Sequence, residues 1–97
     1  MKRKIDELGR FCIPAKYRNE MEISEGQSVE ITVEYGSICI KPFNAESLEE
    51  RPFVGIVRDI DKMGRVSLPR EYRDILRYSK RRLYECEFKN GKLIIRT

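Results

Sequence analysis

From Ser28 to Glu34 the chain alternates strictly: Val29, Ile31 and Val33 fall on one face, and Glu30, Thr32 and Glu34 on the other. A period of two predicts a half-buried strand, which Tyr35-Gly36 turns into a second strand over Ser37–Lys41. Upstream, Arg3–Asp6 and Arg10–Ile13 read as two short strands of one hairpin around Glu7-Leu8-Gly9, where glycine supplies the positive φ. Between these pairs the spacing changes. Tyr17 and Met21 stand at i and i+4, so residues 15–21 predict a helix of one to two turns with Lys16, Arg18 and Asn19 off its apolar face. Pro14 is expected at the first helical position, where its missing N–H costs nothing. A helix this short is marginal alone and must be held by packing.

The same pattern then returns. A shift of 55 positions lays residues 3–42 on 58–97 without a gap. Arg3, Ile5, Asp6, Gly9, Arg10, Pro14, Tyr17, Arg18, Ser24, Glu30, Gly36 and Ile40 meet identical residues, twelve in forty positions. Leu8/Met63, Phe11/Val66, Ile13/Leu68 and Met21/Leu76 keep their apolar character. This is an internal repeat: residues 1–42, a linker over 43–53, and residues 54–97. The second copy carries the stronger hairpin signal, Asn90-Gly91, between strands expected at Tyr84–Lys89 and Lys92–Arg96. In the linker, Asn44 is placed to cap a short helix over Ala45–Glu50. Phe53-Val54-Gly55-Ile56-Val57 leads apolar into the second copy and is expected to lengthen its first strand. A β-β-α-β-β unit of about 40 residues is near the size at which a core needs help, so the two copies are expected to complete one shared core.

Composition narrows the chemistry. The chain has 97 residues, no histidine, three cysteines and a net charge of +4. Without histidine, the usual general base near neutral pH and the commonest metal ligand are both missing. Cys12, Cys39 and Cys86 are odd in number and never in a C-x-x-C pair, so they read as small core residues in a reducing compartment rather than zinc ligands. No metal, cofactor or catalytic residue is expected, and the chain reads as a non-enzyme. No apolar run reaches the length of a membrane span and no apolar segment follows Met1-Lys2-Arg3-Lys4, so a cytoplasmic, nucleoid-associated protein is expected. Asp6 and Asp61, beside their glycine turns, are expected to accept backbone N–H bonds. Ile5, Leu8, Ile13, Tyr17, Met21 and their counterparts are expected in the core. The repeated arginines, Arg3, Arg10 and Arg18 with Arg58, Arg65 and Arg73, suit phosphate oxygens and guanine edges through their planar forks. Residues 1–42 hold seven basic and seven acidic side chains, whereas 58–97 hold twelve and six, so the second copy should dominate phosphate attraction. Its Lys80-Arg81-Arg82 run adds to that excess.

Arg3-Lys4-Ile5-Asp6-Glu7-Leu8-Gly9-Arg10-Phe11-Cys12-Ile13-Pro14 closely resembles the signature of the AbrB/SpoVT swapped-hairpin family, and Gly55 to Pro69 resembles it again. The resemblance implies a mostly β fold with short helices, an interleaved pseudo-barrel in which two β-β-α-β-β units exchange hairpins. It further implies a bacterial transcriptional regulator that binds double-stranded DNA through Arg3, Lys4, Arg10, Arg18, Arg58, Arg65 and Arg73. Two departures bear on the footprint: Asn19 and Asp74 stand where these regulators usually carry a further arginine, and Lys4 is matched by Asp59. Tandem, MraZ-like relatives close the barrel within one chain, and that intramolecular pairing is expected here, with further homo-oligomerisation open. The alternative function is that of a MazE-like antitoxin, binding a protein toxin and its own operator. Such proteins usually add a wrapping segment after the last strand, whereas this sequence stops at Thr97.

Overall fold

A computed structural model describes residues 1–44, 55–77 and 83–97. The expected Ala45–Glu50 helix, Phe53-Val54 and the Lys80-Arg81-Arg82 run lie outside these residues. The elements are β1 (Lys2–Lys4), β2 (Arg10–Cys12), α1 (Ala15–Met21), β3 (Ser28–Glu34) and β4 (Ser37–Pro42), followed by β5 (Ile56–Asp59), β6 (Arg65–Ser67), α2 (Arg70–Ile75), β7 (Leu83–Lys89) and β8 (Lys92–Arg96). Among the described residues the protein is mostly β with two short helices, as the periodicity predicts, and every strand pairing is antiparallel.

The pairings interleave the two halves of the chain. One sheet has the order β1-β7-β8-β4-β3-β5, and β2 pairs with β6 as a separate two-stranded ribbon. Thus β1 and β2 are not ladder partners. Past the single bridge Ile5↔Phe11 they diverge, β1 to β7 and β2 to β6. The hairpin read from the sequence is therefore a turn whose two arms serve different layers. Divergence lets each arm bury its apolar residues against the other half: Phe11 lies opposite Val66, and both are buried. Buried Ile5, Phe11, Ile13, Val29, Ile31, Ile38 and Ile40 join Ile60, Val66, Leu68, Leu76, Tyr84, Leu93 and Ile95 in one core.

The helices stitch the halves further. The first occupies the expected residues 15–21, but Pro14, expected at the first helical position, and its counterpart Pro69 keep extended ψ values of 140° and 155° and stand before the first helical residue. Their carbonyls accept the first helical N–H groups, from Tyr17 and Arg18 and from Tyr72 and Arg73. Tyr17 then stacks on Phe88 of the other half, with ring centroids 5.8 Å apart.

Three expectations about faces fail, and the first is Val33, assigned to the buried face of β3 but exposed. Glu30 and Thr32, assigned to a solvated face, are buried, Glu30 to 1% exposure. β3 lies between β4 and β5, with Glu30 flanked by Lys41 and Val57 and Thr32 by Cys39 of β4. The Glu30 carboxylate has the Lys41 ammonium 3.9 Å away, which reduces the cost of burying a charge. Cys12, assigned to the core with Cys39 and Cys86, is exposed, whereas the other two are buried. Burial, helped by a hydrogen bond to the Glu34 carboxylate, pushes the Cys39 thiol up to about 11.

The two outer hairpins turn alike on unlike residues. Asn90 and Tyr35 both sit at positive φ, 54° and 53°, as the first position of a type I′ turn requires. Asparagine tolerates that region, whereas tyrosine is strained there, and the Tyr35 side chain is fully exposed. Tyr35→Asn is expected to raise stability by about 0.5–1 kcal/mol, read as a melting temperature a few degrees higher. No rise would show that the Tyr35 ring makes up the strain elsewhere.

Candidate nucleic-acid interface

The arginines take their places from two turns. In the first, Asp6 Oδ1 accepts the N–H groups of Leu8 at 3.0 Å and Arg10 at 2.8 Å, and its Oδ2 accepts Arg10 Nε at 2.7 Å. In the second, Asp61 does the same for Met63, Arg65 and Arg65 Nε at 2.9, 2.9 and 2.8 Å. Each aspartate thus closes its turn and fixes the root of the arginine four residues on. The bonds engage Nε and leave the terminal nitrogens of the guanidinium for a ligand.

Both carboxyls titrate below their ordinary value of 3.8. For Asp6, burial opposes the shift, but the hydrogen bonds from the Arg10 backbone and side chain and from Leu8 outweigh it. For Asp61 the Arg65 N–H is the foremost cause. A carboxyl whose folded value is depressed contributes stability above its unfolded value and loses it as pH falls through the folded one. The melting temperature is therefore expected to hold from neutral pH to about 4 and to drop below that. In Asp6→Asn/Asp61→Asn the acid drop should flatten, because asparagine keeps the Oδ1 acceptor without titrating. An unchanged acid limb would assign the drop to other carboxyls.

On the β2–β6 ribbon, Phe11 and Val66 face the core while Arg10, Cys12, Arg65 and Ser67 face away from it. Arg10 pairs with Ser67 and Arg65 with Cys12, so the two guanidiniums leave the ribbon from diagonal positions, with Cα atoms about 7–8 Å apart. Arg3 and Arg58 occupy the two edge strands of the large sheet, opposite buried Tyr84 and Val29 respectively. Directly paired residues share a face, so both arginines lie on the side of the sheet that faces the core and the ribbon, and both are exposed. Each donates from Nη1 to the carbonyl before it, Arg3 to Lys2 at 3.3 Å and Arg58 to Val57 at 3.0 Å. Lys4 is exposed at the end of β1. Its counterpart Asp59 accepts a hydrogen bond from Ser28 Oγ at 2.7 Å.

Arg18 and Arg73 are placed differently. Both are half-buried, and Arg18 Nη1 donates to the Ile13 carbonyl. Each passes beneath the turn of the other half, so that a Cβ on Gly64 would collide with the Arg18 guanidinium and one on Gly9 with that of Arg73. These turns need glycine both for a φ of 79° and for this close approach. The family resemblance implies DNA contact through all six of these arginines. The structure brings Arg3, Arg10, Arg58 and Arg65 outward and sets Arg18 and Arg73 as props between helix and turn.

The sequence reading also missed the tips of the two turns. Leu8 and Met63, expected in the core, are 71% and 58% exposed. Their position within a four-residue turn, where no strand or helix period applies, was the available signal.

Among the described residues no helix is long and apolar enough to cross a membrane, and no group of three His, Cys, Asp or Glu side chains could hold a metal ion. No curated protein matches the chain. Residues 2–46, which span β1 to β4 and the helix between them, are similar to the MazE family of the SpoVT/AbrB-like superfamily, described as "Antidote-toxin recognition MazE, bacterial antitoxin".

Proposed function

We propose that this protein is a DNA-binding transcriptional regulator that lays the β2–β6 ribbon and its flanking strands on the duplex. The observation that carries the reading is the pair Arg10 and Arg65, each held at Nε by its own aspartate and aimed outward from a two-stranded ribbon. A ribbon of that width enters a major groove, and arginine forks bind guanine edges and phosphates. Arg3, Arg58 and Lys4 extend the basic surface to either side. Arg18 and Arg73 support the turns that present the other four arginines. In this reading residues 1–42 and 54–97 are two copies of one unit, joined by 43–53 and paired within the chain. The charge excess of the second copy makes its half of the face the stronger phosphate binder.

Titration of duplex DNA at two salt concentrations tests the reading. With five phosphate contacts the slope of log K against log salt is expected near −4 to −5. Binding that ignores salt would refute an arginine-led interface.

The similarity of residues 2–46 to an antitoxin family favours a second reading, an antitoxin that binds a protein toxin and its own operator. It predicts that the product of a neighbouring gene arrests growth alone and not when co-expressed with this chain.

A further inference from the structure

The geometry points to Leu8 and Met63 as the apolar readers of the interface, each packing on the C5-methyl group of thymine in the major groove. This inference rests on the DNA-binding reading above and adds to it a source of base preference that arginines on phosphates cannot supply.

A single exposed leucine carries no message. Three observations distinguish these two. First, they stand at equivalent places in two separate turns, 71% and 58% exposed. Second, the backbone that carries them is fixed. One oxygen of Asp6 accepts the N–H of both Leu8 and Arg10, and one oxygen of Asp61 accepts those of Met63 and Arg65. Each apolar tip is thereby locked two residues from an outward arginine. Third, the turns flank the ribbon. Ile13 N–H donates to the Gly64 carbonyl and Leu68 N–H to that of Gly9, at 2.9 and 3.0 Å, while Cys12 Sγ lies 3.4 Å from the Met63 carbonyl. The surface nearest a duplex therefore has two arginines at its centre and an apolar side chain at each end.

Apolar side chains in the major groove find one apolar partner on the base edges, the thymine methyl. Methionine and leucine suit it because both project flexible or branched aliphatic ends without a polar atom to desolvate.

The test compares a short A·T-rich duplex with a twin in which deoxyuridine replaces every thymidine, by fluorescence anisotropy at one salt concentration. The twin keeps every phosphate and loses only the methyls. The intact chain is expected to bind the twin about fifteenfold more weakly, from about fourfold for each of two buried methyls. Leu8→Ala/Met63→Ala should weaken binding to the thymidine duplex by a similar factor, treat both duplexes alike, and keep the wild-type salt slope. Its melting curve should match wild type, since both side chains are exposed. Equal binding of both duplexes by the intact chain would overturn the inference, as would a double variant that still prefers thymidine. Failure of the intact chain to bind either duplex at low salt would instead overturn the DNA-binding reading itself.

Discussion

Changing Arg10 and Arg65 together to alanine is expected to lower DNA affinity at least thirtyfold, about 2 kcal/mol, and to reduce the salt slope by about 2. The reasoning starts from the aspartates. Asp6 and Asp61 hold Nε of each arginine at 2.7 and 2.8 Å, so the guanidiniums are oriented before DNA arrives and little rotamer entropy is lost on binding. Removing them leaves the turns intact, because the backbone N–H groups of residues 8, 10, 63 and 65 still reach Oδ1. The loss should therefore appear in binding and not in the melting curve. Arg10→Lys/Arg65→Lys keeps the charge and loses the fork, so its salt slope should stay near wild type while affinity falls to an intermediate value. Arg18→Ala/Arg73→Ala should behave in the opposite way, lowering the melting temperature first, since these side chains fill the space beneath Gly64 and Gly9. Unchanged binding in the Arg10/Arg65 alanine variant would remove the ribbon from the interface.

What the sequence makes legible here is whatever repeats or alternates. The strand at Ser28–Glu34, the helix after Pro14 and the Asn90-Gly91 turn follow from period and turn chemistry alone, and they occur where those rules put them. The aspartate roles follow from one residue's reach to the N–H two and four positions on. The misread residues are those whose environment depends on a distant segment. Glu30 alternates like a solvated residue, yet β4 and β5 arrive from either side and β3 becomes an interior strand. Cys12 sits between two apolar neighbours, yet a two-stranded ribbon over a core has an outer face, and Cys12 is on it. Arg18 lies off the apolar face of α1, but the neighbour it meets is the turn of the other half. Of these neighbours only β4, joined to β3 by a two-residue turn, lies within a local window of sequence. Divergence of β1 from β2, and of β5 from β6, sends each arm across to the opposite half and brings these distant segments together.

That crossing joins the two halves through a ribbon of three pairs, and Phe11→Ala is expected to be the most damaging single truncation. Phe11 is wholly buried, bridges Ile5 within its own turn and lies opposite Val66 on the ribbon. Phenylalanine-to-alanine changes in a core cost about 3–5 kcal/mol, against a total of about 5–15 kcal/mol for a small domain. One feature favours the upper half of that range. The ribbon has only three paired positions, and Phe11↔Val66 is the central one, so the neighbours available to collapse into a cavity are few. The ribbon also carries Arg10 and Arg65, so stability and binding are lost together. Val66→Ala removes two methyl groups at the facing position and should cost about 2 kcal/mol, leaving a folded protein. Chemical denaturation of the three proteins gives the order directly: wild type, then Val66→Ala, then Phe11→Ala. A Phe11→Ala protein within about 1 kcal/mol of wild type would mean that the cavity is refilled. The ribbon would then be an appended strip rather than the clasp that closes the two halves on one core.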